Sequence, residues 1–280
     1  MYHFPIGVML ESFRTDDESA LAAAQAIGAQ GIQMYSTEGS HAPENLNAQA
    51  RRELLKRVND HGLVFSALCG DLGHGFGEAE LNPVLVEKSK RIMDMALDLQ
   101  TNIVTTHIGV VPSDPNHPRY KIMQDACGEL AAYADSLNAH FAIETGPETS
   151  HTLKNFLDSL HSRGVAVNLD PANLVMVTGD DPAQGVYNLK DYIVHTHAKD
   201  GVKLRESDPE VIYGIVRRDE AAQGAAFAEV PLGEGSVPYA KYLAALEDIG
   251  YNGFLTIERE VGADPAADIR KAVGFLKSFF

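Results

Sequence analysis

Short runs rich in β-branched and aromatic residues alternate eight times with longer amphipathic stretches, and this repeat restricts the fold of the chain more than any other feature. The strand-like runs fall at 6–10, 31–36, 63–68, 102–108, 140–145, 165–170, 193–199 and 253–260. Helical stretches follow them at 16–29, 46–61, 83–99, 121–138, 150–163, 182–191, 238–249 and 265–279. Asp16 or Asp17 is placed to cap the first helix, while Gly62 and Gly164 stand where a glycine ends one. Eight strand-then-helix units predict a closed parallel barrel, the (β/α)8 or TIM barrel, as a single domain over 1–280. A doubly wound open sheet is the alternative, but it normally shows a glycine-rich phosphate turn after an early strand. Here Leu10-Glu11-Ser12-Phe13 stands in that place.

One connection is out of proportion. Roughly 201–237, between the seventh strand and the seventh helix, is polar and glycine-bearing and includes Gly233-Glu234-Gly235. Long loops at this end of a barrel usually cover an active site. A surface excursion without a role is the other reading.

Charge narrows the choice of ligand. With 23 basic against 39 acidic residues the net charge is −16, which repels nucleic acid and anionic membranes and favours a neutral or locally neutralised ligand, although a small basic pocket could still hold a phosphate. No run approaches the roughly 20 apolar residues of a membrane span, and Met1-Tyr2-His3-Phe4-Pro5 lacks the basic and apolar segments of a secretion signal. The only cysteines, Cys69 and Cys127, are far apart and outside any CxxC pattern, as expected of reduced thiols in a cytoplasmic protein.

Strands of a parallel barrel should read apolar, so polar residues inside them are informative. Glu144, Asp170, His197 and Glu258 fall near the C-terminal ends of strands five to eight, the functional face of such barrels. Three carboxylates aimed at one volume repel one another unless a cation sits between them. Three oxygen donors and one nitrogen suit one divalent metal, Mn²⁺ or Mg²⁺ before Co²⁺ or Zn²⁺. Separate buried ion pairs are the alternative. A metal chelating a carbonyl and the adjacent hydroxyl acidifies the C–H between them and stabilises the enediolate. Glu144 and Glu258, if one oxygen of each stays free, are then the bases that remove and return the proton.

The segments Ala142-Ile143-Glu144-Thr145, Asn168-Leu169-Asp170-Pro171-Ala172-Asn173, His195-Thr196-His197-Ala198-Lys199-Asp200 and Ile257-Glu258 resemble the xylose isomerase-like barrel superfamily. That superfamily includes ketose 3-epimerases, inosose isomerases and dehydratases, and endonuclease IV. The resemblance implies that Glu144, Asp170, His197 and Glu258 are metal ligands, that the two glutamates exchange protons with a sugar or polyol ketone, and that the chain pairs as a dimer or tetramer. Many of the epimerases place a histidine three residues after the metal aspartate. Asn173 occupies that place here, where it can donate a hydrogen bond to a substrate but cannot titrate. The trinuclear zinc site of endonuclease IV is incomplete, since 201–237 contains no histidine.

Four further residues are candidates for substrate contact. His107 shares the inward parity of Thr105 and is either a substrate or supporting contact or a satisfied core histidine. Lys199 is either a surface ion pair or a contact to the substrate carbonyl, and Glu260 is a rim residue or its partner. His74, in the flexible Gly73-His74-Gly75 loop, lies on the active face. His195 reads as a packed support for the ligands. A β-eliminating dehydratase or lyase acting on an inosose or 3-oxo sugar shares the first step, and a non-catalytic sugar-binding subunit is the reading from another class.

Overall fold

The structure is a computed structural model and describes residues 2–218 and 224–280. The first seven strands are β1 (Ile6–Met9), β2 (Gly31–Tyr35), β3 (Val64–Cys69), β4 (Ile103–Thr106), β5 (His140–Glu144), β6 (Val165–Leu169) and β7 (Ile193–Ala198). A hairpin of β8 (Asp200–Lys203) and β9 (Phe227–Val230) follows, and β10 (Leu255–Ile257) is the eighth barrel strand. The barrel closes in the order β1-β10-β7-β6-β5-β4-β3-β2, with every pair parallel.

The outer layer is made of α1 (Asp17–Ala26), α2 (Ala48–Asp60), α3 (Asn82–Asp98), α4 (Pro118–Ser136) and α5 (Ser150–Leu160). The short α6 (Pro171–Asn173) directly follows β6, α7 (Pro182–Leu189), α9 (Tyr239–Asp248) and α10 (Pro265–Lys277) complete the layer, and the short α8 (Pro209–Ile212) lies in the connection between β8 and β9. Asp16 caps α1 by accepting from the Ser19 amide at 3.0 Å. Gly62 takes the left-handed turn after α2 at φ +71°. Among the described residues no helix is long and apolar enough to cross a membrane.

Three sequence expectations change in the structure. Gly164 does not end α5, because His161 takes the left-handed turn first at φ +49°. Gly164 is small for another reason: a Cβ there would lie 2.1 Å from the Ala131 carbonyl oxygen of α4. The seventh strand stops at Ala198, and the eighth is only Leu255–Ile257, so Lys199, Glu258 and Glu260 project from the loops just beyond the strand ends. The connection across 201–237 is not an open loop: it carries most of the β8–β9 hairpin and helix α8, with residues 219–223 outside the described part.

Hydrophobic residues fill the space between strands and helices, and the barrel interior is polar. Gln33 of β2 donates to Thr105 of β4 at 2.7 Å, across the intervening strand. His195 of β7 reaches Asn168 of β6 at 2.8 Å and Thr256 of β10 at 2.9 Å. Buried barrel residues are usually branched aliphatics, so this packed polar stack is maintained for what it supports. Each of its members has a partner, which is the condition for burying it.

One side chain ties the excursion back to the barrel. Asp200, almost fully buried, accepts four backbone amides: Gly201 at 2.9 Å, Gly233 and Gly235 at 3.0 Å, and Val237 at 3.1 Å. Gly235 must lack a side chain, since a Cβ would sit 2.1 Å from Asp200 Oδ1. Hydrogen bonds to a charged group contribute roughly 1.5–3 kcal/mol each. Asp200→Ala, which strands four donors, is expected to destabilise the protein by at least about 3 kcal/mol and to lower Tm by several degrees in a thermal melt. An unchanged Tm would show that the carboxylate does not hold the excursion in place.

Candidate active site

The C-terminal ends of β5, β6, β7 and β10 bring four buried side chains together. One ligand-type atom from each of Glu144, Asp170, His197 and Glu258 lies within 4.8 Å of all the others. His197 Nδ1 stands 3.4 Å from an oxygen of each carboxylate.

The surrounding hydrogen bonds fix the imidazole tautomer. Gln33 uses its amide nitrogen on Thr105, which leaves its oxygen to face His197 Nε2 at 2.9 Å. Nε2 therefore carries the hydrogen and donates it. Asn168 Nδ2 lies 3.2 Å from the same ring nitrogen but gives its hydrogen to Glu144 Oε2 at 3.1 Å. His197 Nδ1 is left with a lone pair aimed among three carboxylates. Neither it nor Asp170 Oδ2 has a hydrogen-bond partner. Two orphaned acceptors, fully buried side by side, form an arrangement that only a proton or a cation satisfies.

The supporting residues hold each member in place. His195 donates from Nδ1 to Asn168 Oδ1 and accepts from Thr256, which turns the Asn168 amide toward Glu144. Burial keeps His195 well below its ordinary pKa, with His197 adding to the effect, so it is neutral. Asn173 donates to Glu144 Oε1 at 3.1 Å, and its own amide is capped by Asp170 at 2.8 Å. Lys199 Nζ bonds Glu258 Oε2 at 2.8 Å and Glu260, with Glu229 of β9 at 3.9 Å. Burial opposes ionisation of Glu258, but Lys199 and His197 outweigh it and hold the carboxyl well below the usual range. Burial opposes a second proton on His197, but Glu258 and Glu144 draw one on strongly, so Nδ1 takes a proton unless a cation occupies the position it faces.

The cluster opens into a cavity of about 230 Å³. Glu144, Glu258, His107, Asn173, Lys199 and Glu260 all line it. His107 Nε2 is 3.5 Å from Glu144 Oε1, and its ring packs edge-on against Tyr213 at 5.6 Å. His74 is not part of this cavity. It is exposed at the tip of its loop and borders a separate depression beyond Tyr213. The loop is pinned at Gly75, where a Cβ would meet the backbone of Ile108 and Gly109 at 2.6–2.7 Å.

Sequence reading did not single out Gln33, Thr105 as a partner, or Asn168 as a support, although each is a polar interruption of a strand like the four ligand-type residues. Tyr213, Phe227 and Glu229 carried no comparable signal, because they reach the cavity from the long excursion after β7.

A family model described as xylose isomerase-like TIM barrel matches residues 21–279. The chain belongs to this family. Its structure is similar to that of a xylose isomerase domain protein from Planctomyces limnophilus, with 23% identity, a TM-score of 0.78, and 99% and 96% of the two chains covered. It is also similar to the probable 3-DHS dehydratase AsbF from Bacillus anthracis, with 20% identity, a TM-score of 0.72, and coverage of 98% and 99%. A D-tagatose 3-epimerase-like protein shares 17% identity at a TM-score of 0.74, with coverage of 99% and 97%. An uncharacterized protein of Methanocaldococcus jannaschii is 21% identical over 236 residues, or 80% of this chain and 72% of that one. At these identities the likenesses to solved structures speak to fold alone.

One acid near the site is held neutral. Glu148, in the loop after β5, accepts the Val111 amide at 3.1 Å through Oε2, while its buried Oε1 has no partner. Burial pushes its carboxyl up to about 8 from the ordinary 4.5. An acid with a raised folded-state pKa binds more protons folded than unfolded, so its contribution to stability falls as pH rises from about 4.5 to about 8. Glu148→Gln removes that loss. The variant is expected to gain stability relative to the parent between pH 5 and pH 9, by on the order of 3–5 kcal/mol in denaturant melts. Parallel pH profiles for the two proteins would contradict this account of Glu148.

Proposed function

We propose that this protein is a divalent-metal-dependent isomerase or epimerase that moves a proton beside the carbonyl of a small sugar-like substrate. The observation that carries this reading is the buried Nδ1 of His197, without a hydrogen-bond partner and facing three carboxylates beside the equally unpartnered Asp170 Oδ2. Three oxygen donors and one imidazole nitrogen fit a divalent ion that accepts oxygen ligands, with Mn²⁺ the best match and Mg²⁺, Co²⁺ or Zn²⁺ compatible. Glu144, Asp170, His197 and Glu258 would hold it. When bound, such an ion polarises a carbonyl and stabilises the negative charge that develops next to it.

The chain's own residues supply the proton transfer. Glu144 and Glu258 both line the cavity, so one can take the proton from carbon and the other return it. Lys199 keeps Glu258 ionised and fixes its position. Asn168 and Asn173 each donate to one oxygen of Glu144, which sets its rotamer and leaves a second lone pair on each oxygen for a cation or a proton. His107, beside Glu144 on the cavity wall, is placed to bond a substrate hydroxyl. The family, together with neighbours described as epimerases and a dehydratase, supports the reading.

Glu144→Gln and Glu258→Gln are each expected to lower kcat/KM by about 10²–10⁴ while leaving the thermal melt cooperative. Turnover of ketohexoses or inososes in D₂O with Mn²⁺ is expected to place deuterium on the carbon next to the carbonyl of the rearranged sugar. Loss of water in place of rearrangement would assign the same proton removal to elimination. A protein that binds no metal and turns over none of these compounds would leave a sugar-binding subunit and sink the proposal.

A further inference from the structure

We infer that the cavity takes an uncharged, single-ring or open-chain carbonyl sugar of about six carbons and rejects its phosphorylated and acidic counterparts. This rests on the proton-transfer reading above and specifies its substrate class.

The argument starts from charge. Asp71, Glu144, Glu229, Glu258 and Glu260 line the cavity, and Asp170 lies in the buried cluster adjoining it. Among the described residues Lys199 is the only lysine or arginine on the wall. It is 4% exposed and already engaged by Glu258 and Glu260. Arg259, outside the wall, is committed to Glu229 at 2.6 Å and Asp268 at 2.9 Å. Six carboxylates against Lys199, Arg259 and a divalent ion still leave the site negative. A phosphate or carboxylate entering it would meet repulsion with no unpaired cation to offset it. Sites that recognise phosphate present free arginine, lysine or helix-terminal amides.

Size and wall chemistry add to this. About 230 Å³ lies below the roughly 300–1,000 Å³ of sites for drug-sized ligands, which leaves space for one sugar ring and none for a second. Apart from Glu229, the wall contributed by the excursions is largely apolar: Met176 and Val177 follow α6, Ile212 and Tyr213 belong to α8 and its end, and Phe227 belongs to β9. A sugar held by its carbonyl end at the carboxylates would lay its C–H face against Phe227 and Tyr213, a contact that a charged substituent spoils.

The test compares kcat/KM of the Mn²⁺-loaded protein for free ketohexoses and myo-inosose with the corresponding phosphates and with a 3-oxo disaccharide. At least one free sugar is expected to exceed its phosphate by 100-fold or more. Glu260→Gln is expected to narrow that gap several-fold, and Phe227→Ala to raise KM for the free sugar about tenfold with little change in kcat. Preference for a phosphate or for the disaccharide would overturn the inference and leave the proton-transfer reading standing, as would a gap unmoved by Glu260→Gln. Failure to turn over any compound despite bound metal would count against the proton-transfer reading itself and take this inference with it.

Discussion

Everything at the top of this barrel depends on how three buried carboxylates tolerate one another. Glu144, Asp170 and Glu258 share a buried volume in which their charges repel one another, and burial opposes the ionisation of Glu144 and Glu258. The protein answers with His197 in the middle, Lys199 on one flank and amide donors on the other. Lys199 neutralises part of the charge, but His197 Nδ1 and one oxygen of Asp170 still have no hydrogen-bond partner. The polar stack inside the barrel makes sense in that light. Thr105, Gln33, Asn168 and His195 contribute little as hydrophobic packing, yet together they fix which nitrogen of His197 carries its hydrogen and which way the Asn168 amide points.

The excursion after β7 forms the second half of the site. Asp200 gathers four amides to hold its base, and the hairpin and α8 then deliver Glu229, Phe227 and Tyr213 to the cavity. Arg119 of α4 pairs with Glu210 of α8, fastening the far edge to the barrel's helical shell. The division of labour is physical: rigid strand ends set the reactive carboxylates, while a loop built on a buried carboxylate sets the shape of the wall around the substrate.

Much of this was readable from the residues. The eightfold alternation predicted the barrel because strand and helix periodicities differ and each unit must bury an apolar face against its neighbours. Glu144, Asp170, His197 and Glu258 stood out because charged groups are costly inside strands, and the structure brings them together. Gln33 and Asn168 break their strands in the same way, but their role depends on which strands face each other across the barrel, and alternation alone does not show that. Tyr213 and Phe227 were hidden for a different reason: aromatic residues in a long connection look alike whether they face solvent or a cavity. Gly164 read as a helix stop because glycine serves both turns and close approaches, and here the α4 backbone requires the second. His74 is exposed and borders a different depression from the cavity, which its place between two glycines left open.

The central claim is that His197 Nδ1 and the three carboxylates are ligands of one cation. Crystals soaked in MnCl₂ and measured at the manganese absorption edge test it most directly. The account predicts a single strong anomalous peak about 2.0–2.3 Å from His197 Nδ1 and from an oxygen of each of Glu144, Asp170 and Glu258. No peak at that position at millimolar Mn²⁺, or a peak that leaves His197 Nδ1 uncoordinated, would contradict it.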